Sequence, residues 1–164
     1  LNRRQVVSAG IAGANAIAIG CIAFAEESGE RVNAPMASLT PLLTFAGDAE
    51  TAIRYYTGAL ENSKVISIDR YGPEGPGKEG TVRIASIELC GQRMFVIDSP
   101  VQHEWTFTPA ISLHVECSEE SVERYYEVLS KDGTVHMPLD RYPFSKKFAW
   151  VQDRFGVSWQ LSAT

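Results

Sequence analysis

Gly47-Asp48-Ala49-Glu50-Thr51-Ala52-Ile53-Arg54-Tyr55-Tyr56 is echoed seventy positions later by Ser118-Glu119-Glu120-Ser121-Val122-Glu123-Arg124-Tyr125-Tyr126. Both stretches read as the start of a helix. Acids in the first turn suit the positive end of the helix dipole, and Asp48 and Ser118 stand where a side chain caps free amides. Helical spacing puts Ala49, Ala52, Ile53 and Tyr56 on one face of the first helix, and Val122, Tyr125, Tyr126 and Leu129 on one face of the second. The tyrosines are therefore expected in a core.

A second echo follows each helix. Cys90-Gly91-Gln92-Arg93-Met94-Phe95-Val96-Ile97 corresponds to Phe155-Gly156-Val157-Ser158-Trp159-Gln160-Leu161-Ser162, and each glycine marks a tight turn into a last strand. Working outward, strands are expected near 39–45, 64–71, 80–90, 92–98, 109–117, 133–138, 147–152 and 157–162, with helices near 48–60 and 119–131. The pattern is βαβββ twice, in modules 38–98 and 109–164. One such module is small for an independent core, so the two should pair. The expected fold class is α+β, with paired curved mixed sheets around a cleft and the helices outside.

The whole chain has 164 residues, 45% hydrophobic and 21% charged, and a net charge of −5. This balance excludes a disordered chain and gives a phosphate backbone little to hold, so no nucleic-acid partner is expected. Residues 1–25 stand apart: Arg3-Arg4 is followed by an acid-free, Ala/Gly/Ile-rich run ending in Ala23-Phe24-Ala25. Basic start, apolar middle and small residues form an export signal, and the arginine pair resembles the twin-arginine signals of bacterial export. The favoured reading is a cleaved signal over 1–25 and a linker over 26–37, giving a periplasmic or extracellular domain over 38–164 with no stable membrane span. Two rivals stand beside it. Ala18-Ile19-Gly20-Cys21 is close to a lipoprotein box, and translation from Met36 would leave the domain cytoplasmic.

Three segments carry a family resemblance: Thr40-Pro41-Leu42-Leu43-Thr44-Phe45 running into Gly47-Asp48-Ala49-Glu50, Arg70-Tyr71-Gly72-Pro73-Glu74-Gly75-Pro76-Gly77, and Trp150-Val151-Gln152-Asp153-Arg154-Phe155-Gly156-Val157-Ser158-Trp159-Gln160. With the doubled βαβββ, residues 38–164 resemble the PhnB-like branch of the vicinal oxygen chelate superfamily. That branch bears the inherited label 3-demethylubiquinone-9 3-methyltransferase and is related to glyoxalase I and bleomycin-resistance proteins. The resemblance implies a homodimer. It also implies a place for a divalent cation held by four side chains, and aligning on the helices puts those positions at Pro41, Phe95, Ala110 or Ile111, and Gln160. Proline, phenylalanine, alanine and isoleucine offer no side-chain donor, and one neutral amide does not hold a transition metal. No metal and no cofactor are expected.

Alternation in Ala110-Ile111-Ser112-Leu113-His114-Val115-Glu116 puts Ile111, Leu113 and Val115 on one face and Ser112, His114 and Glu116 on the other. The polar face should look into the cleft beside Gln160. Candidate ligand-binding residues are His114, Glu116 and Gln160 for orientation and Phe45, Phe95 and Trp150 for contact, with Trp105 and Phe107 as further aromatic candidates. His103 and His136 receive no role. Export would permit a disulfide between Cys90 and Cys117, but buried free thiols are the simpler reading. Gly72–Glu79 mimics the spacing of a phosphate-binding loop, yet Glu79 replaces its Ser/Thr and two prolines remove amide donors, so it reads as a loop between strands. No Gly-rich strand-to-helix turn of the kind that holds a nucleoside supports methyl transfer. The function expected is binding of a small organic molecule in a metal-free cleft. The alternative is a superfamily enzyme of the lyase, isomerase or dioxygenase kind, or the labelled methyltransferase.

Overall fold

Strands and helices follow one another in the order the repeat predicts: β1 (Leu42–Phe45), α1 (Ala49–Ala59), β2 (Lys64–Arg70), β3 (Val82–Leu89), β4 (Gln92–Asp98), β5 (Ser112–Cys117), α2 (Glu119–Leu129), β6 (Thr134–Tyr142), β7 (Ser145–Gln152) and β8 (Ser158–Ala163). The computed structural model describes residues 37–164, and the export, lipoprotein-box and start-site readings of residues 1–36 lie outside the described residues. Ser38–Thr164 form one unit. Among the described residues no helix is long and apolar enough to cross a membrane.

The strands make two four-stranded sheets, ordered β1-β4-β3-β2 and β5-β8-β7-β6, neither of them closed. In each sheet the first strand of the module runs parallel to the last, and the other pairs are antiparallel. This is the α+β doubling of βαβββ. The β3–β4 hairpin turns through Cys90 and Gly91, both at positive φ (50° and 81°), as a two-residue turn matched to the strand twist requires.

Boundaries differ most at β6 and β7, which extend to Tyr142 and from Ser145 and so take in residues expected to be loop. β6 is the outer strand of its sheet, where the missing N–H of Pro138 and several register shifts can be absorbed. At the hairpin tip Phe144 stacks on Tyr142 at 5.6 Å and meets Phe148 edge-on at 5.1 Å. Residue-by-residue alternation does not reveal that cluster.

Helix α1 buries Ala49, Ala52, Ile53 and Tyr56, the face expected from its spacing. α2 buries Ser121, Val122, Tyr125 and Leu129, leaving Tyr126 only half-buried. Ser118 caps α2 by accepting from Ser121 N at 3.2 Å. Asp48 does not cap α1. That work falls to Asp98 at the end of β4, whose Oδ1 accepts from Gly47 N (2.8 Å) and Ala49 N (3.0 Å) while Oδ2 accepts from Val82 N (3.1 Å).

The two modules share a single hydrophobic core in which Tyr56 of α1 packs on Trp159 of β8, ring centroids 5.2 Å apart. Tyr55 donates to Val128 O of α2, and Tyr125 of α2 accepts from Glu61 N. Both helices therefore reach across to the other module. At the start of β6, a Cβ on Gly133 would press against the Gln152 carbonyl oxygen and lie 3.1 Å from Asp153 Cα. Neither neighbour can yield as a side chain tip can. Gly133→Ala is expected to lower stability by about 2 kcal/mol, read from the urea midpoint at unchanged m-value.

Candidate functional site: the open face of the second sheet

Register decides which side chains share a sheet face, because residues directly opposite point the same way. In the second sheet His114 lies opposite Gln160, Gln160 opposite Trp150, and Trp150 opposite Met137. Flanking rows place Ser112 beside Ser158, and Glu116 beside Ser162. The other face carries Leu113, Val115, Trp159, Leu161, Ala149 and Val151, which pack in the core. The row His114–Gln160–Trp150 therefore lies on the uncovered side.

The polar groups of this face are wired together. The indole N–H of Trp150 donates to Ser158 Oγ at 2.9 Å, Ser158 Oγ lies 2.7 Å from Ser112 Oγ, and Gln160 Nε2 donates to Ser112 Oγ at 3.3 Å. This arrangement uses the Gln160 amide nitrogen and leaves its carbonyl oxygen available as an acceptor. His114 Nε2 stands 3.8 Å from Glu116 Oε1, with the two side chains 48% and 65% exposed. His136, at a register shift in β6, brings its ring to 5.0 Å from that of Trp150. The face thus offers an aromatic plate, an amide acceptor and an imidazole–carboxylate pair. Sequence reasoning missed His136, because its nearness to Trp150 follows from the β6–β7 pairing, which sets Val135 opposite Val151 and leaves His136 next along the strand, and Ser158, whose period-2 relation to Gln160 was the available signal.

Phe95 occupies in the first sheet the place Gln160 has in the second, and Arg93 accompanies it, its guanidinium 5.5 Å from the Phe95 ring and donating to Ser86 Oγ at 3.0 Å. Phe45 is separated from this set. It pairs with Asp98 on the covered face of the first sheet, is 5% exposed, and packs on Phe107 at 5.0 Å. Trp105 is exposed on the connection between the modules, also away from the row.

Counting from the helices misplaces positions on the first strands. The β1–α1 connection runs through Ala46-Gly47-Asp48, whereas Ser118 alone joins β5 to α2. The register makes Leu42, opposite Phe95, the counterpart of His114, opposite Gln160. Pro41, whose carbonyl accepts from Phe95 N at 2.8 Å, is then the counterpart of Leu113. The neighbour of Gln160 is therefore a histidine, not Ala110 or Ile111.

Even so, the residues present do not fit a divalent-cation centre. Among the described residues no three His, Cys, Asp or Glu side chains converge on a common point. Around Gln160 the donors are one neutral amide and the His114–Glu116 pair, and the equivalent places of the first module hold the apolar Leu42 and Phe95.

Beside the outer edge of β5 lies a cavity of about 340 Å³, walled by Cys90, Gln92 and Met94 on one side and Leu113, His114 and Glu116 on the other. Cys90 is exposed rather than buried, Cys117 is half-buried, and both are free thiols. Partial burial, then the charge of Glu61, pushes the Cys90 thiol above its usual range, and burial does the same for Cys117. Neither supplies a thiolate at neutral pH.

The family described as 3-demethylubiquinone-9 3-methyltransferase matches residues 37–162. Among solved structures, the chain is 49% identical to a PhnB protein from Bacillus cereus whose name assigns it provisionally to the same methyltransferase; the match covers 78% of this chain and 100% of that one with a TM-score of 0.75. The protein PA1353 from Pseudomonas aeruginosa is similar in fold at 22% identity, over 77% of this chain and 97% of that one, with a TM-score of 0.69. A glyoxylase/bleomycin resistance protein/dioxygenase domain from Frankia sp. is likewise similar in fold at 17% identity, over 78% and 92% of the two chains, with a TM-score of 0.55. No curated protein sequence matches the chain significantly. The doubled βαβββ and the match along nearly all described residues agree: the chain belongs to the PhnB-like family named 3-demethylubiquinone-9 3-methyltransferase.

Proposed function

We propose that the protein binds a small organic molecule over the open face of the second sheet, without a metal, and that a second copy of the chain completes the cleft. The observation that carries this reading is the continuous row His114–Gln160–Trp150, backed by the Ser158–Ser112 hydroxyl relay. A half-buried indole with its N–H already satisfied presents an apolar plate for a flat ligand. The Gln160 carbonyl and the His114 imidazole then fix the ligand's orientation. Phe95 takes the equivalent place in the partner module of a composite cleft.

Thermal-shift screening of quinones, aromatic acids and glycopeptide antibiotics tests the reading, since a ligand at a hundred times its Kd adds about 2.7 kcal/mol of stability. A compound that raises Tm in the native chain is expected to lose its shift in Trp150→Ala and Gln160→Leu. If no compound acts, and purified protein holds stoichiometric metal that disappears in Gln160→Ala, the reading is wrong.

The 3.8 Å approach of His114 Nε2 to Glu116 Oε1 favours one second reading, acid/base chemistry on the bound molecule by an imidazole that a carboxylate orients. Turnover of a compound from the screen that fails in His114→Gln while binding persists would establish it.

Pairing of copies is supported by exposed apolar residues at two of the strand edges. β1 and β5 each end a sheet, and Leu39, Leu42 and Ile111 beside them are 90%, 49% and 82% exposed. An apolar strand edge is ordinarily covered by a partner. Light scattering is expected to give a dimer for the native chain and a monomer for Ile111→Lys, whereas a native monomer at micromolar concentration removes the composite cleft.

A further inference from the structure

Phe45, on the covered face of the first sheet, borders a second cavity with different chemistry. This cavity, of about 270 Å³, lies where the connection between modules passes β1 and the start of α1. Its inner wall is aromatic: Phe45 packs on Phe107 at 5.0 Å and meets Phe155 edge-on at 6.2 Å. Its outer wall is Trp105, 61% exposed. That indole is held in place without secondary structure, stacked at 4.1 Å and 20° on the His103 ring, whose Nε2 lies 2.7 Å from Ser99 Oγ. Ser99 Oγ in turn donates to Val101 O.

The ionisable groups lining the cavity are the Asp48 carboxylate and the His103 imidazole, and no lysine or arginine lines it. Asp48 stands at the N-cap position of α1, where its carboxylate would ordinarily be spent on the helix amides, yet it makes no cap bond. Asp98 has taken those amides from within the core, with both Gly47 N and Ala49 N bonded to its Oδ1. Two consequences follow. The helix end no longer offers those N–H groups to an anion, and the Asp48 carboxylate is left without a hydrogen bond or ion pair among the described residues.

We propose that this cavity binds a small organic cation, an ammonium group carried on an apolar or aromatic body. The ammonium sits against the Asp48 carboxylate and the face of Trp105, and the apolar body fills the space against Phe107 and Phe155. Cations are attracted to the faces of aromatic rings, indole most strongly, and a carboxylate at the rim adds charge complementarity that a neutral or anionic analogue lacks. The site is separate from the open face of the second sheet, so it stands whether or not that face binds a ligand.

The test uses the full chain labelled with nitrogen-15 at its indoles, with phenethylammonium, 2-phenylethanol and 3-phenylpropanoate as probes of similar shape and different charge. Phenethylammonium is expected to move the Trp105 indole resonance saturably and to bind about tenfold tighter than 2-phenylethanol, a difference of about 1.4 kcal/mol. 3-Phenylpropanoate should bind weakest. Asp48→Asn is expected to abolish the preference for the cation while leaving Tm unchanged, because the side chain caps nothing, and Asp48→Ser should do the same. Trp105→Ala, whose binding is read by titration calorimetry because the reporting indole is gone, should weaken binding of the cation and of the alcohol. The Trp150 indole reports the open face independently in the same spectra. Absence of a saturable Trp105 shift, equal affinity for the three probes, or a cation preference that survives both Asp48 variants would overturn the proposal.

Discussion

Asp153→Ala is expected to lower the unfolding free energy by about 4 kcal/mol, a large part of the total stability of an ordinary domain. Asp153 is 4% exposed and holds four donors. Its Oδ2 accepts from Tyr56 OH at 2.7 Å and Trp159 Nε1 at 2.8 Å, and its Oδ1 from Phe155 N at 2.8 Å and Val157 N at 3.1 Å. These bonds join α1 of the first module to the β7–β8 turn and β8 of the second. Alanine leaves the four donors facing a void, each unsatisfied donor costing about 1–3 kcal/mol, offset in part because a buried carboxylate no longer has to be desolvated. Burial, reinforced by the Asp153 charge, raises the Tyr56 phenol far above its usual range, so it is a donor at neutral pH. Tyr56→Phe should therefore cost only about 1–1.5 kcal/mol, since one donor vanishes along with its bond. Urea unfolding of the two variants checks the contrast, and near-equal losses would show that the carboxylate does not hold the modules together.

Asp98→Ala is expected to cost about 3 kcal/mol, and Asp98→Asn nearly as much. The carboxylate is 3% exposed and receives three backbone N–H groups, from Gly47, Ala49 and Val82. Asparagine keeps the shape but turns an N–H₂ toward at least one of these donors, so the substitution exchanges an attraction for a repulsion. The loss should be local first, with amide exchange accelerating at residues 47–52 and at Val82 before the rest of the domain. An Asp98→Asn protein with native stability and native protection in α1 would refute this assignment of the cap.

The contrast between Asp48 and Asp98 shows where local reading stops. A residue at the N-cap position with an acid two places on is a sound local signal for a helix start, and α1 begins there. Which carboxylate receives the amides is another matter, since Asp98 reaches them from across the sheet. Cys90 is similar: the turn into β4 was legible from Gly91, but a cysteine at φ 50° on that turn is exposed instead of joining the core. The β6–β7 hairpin was undercounted because Pro138 breaks the local strand pattern, and only its place at the sheet edge makes it tolerable.

The candidate site divides in the same way. Alternation in 110–116 was enough to put His114 and Glu116 on one face and Leu113 and Val115 on the other, as the register shows. Assigning the neighbour of Gln160 required the length of the β1–α1 connection, because two extra residues before α1 shift every count made from the helix. Phe45 went to the covered face since strand parity flips with each residue, and Leu42-Leu43-Thr44-Phe45 is too apolar to announce its parity.

The sequence by itself determined the doubled βαβββ order, most of the buried helix faces and the acidic balance of charge. Those depend on short periodicities and composition, which are complete within a few turns or a few strand residues. Only the tertiary structure decided that Asp98 frees Asp48, that Asp153 binds one module to the other, and that His114, Gln160 and Trp150 stand in one row while Phe45 lines a different cavity. These are relations between residues tens of positions apart, set by strand register and connection length. A shift of one residue in either exchanges what is buried for what is presented.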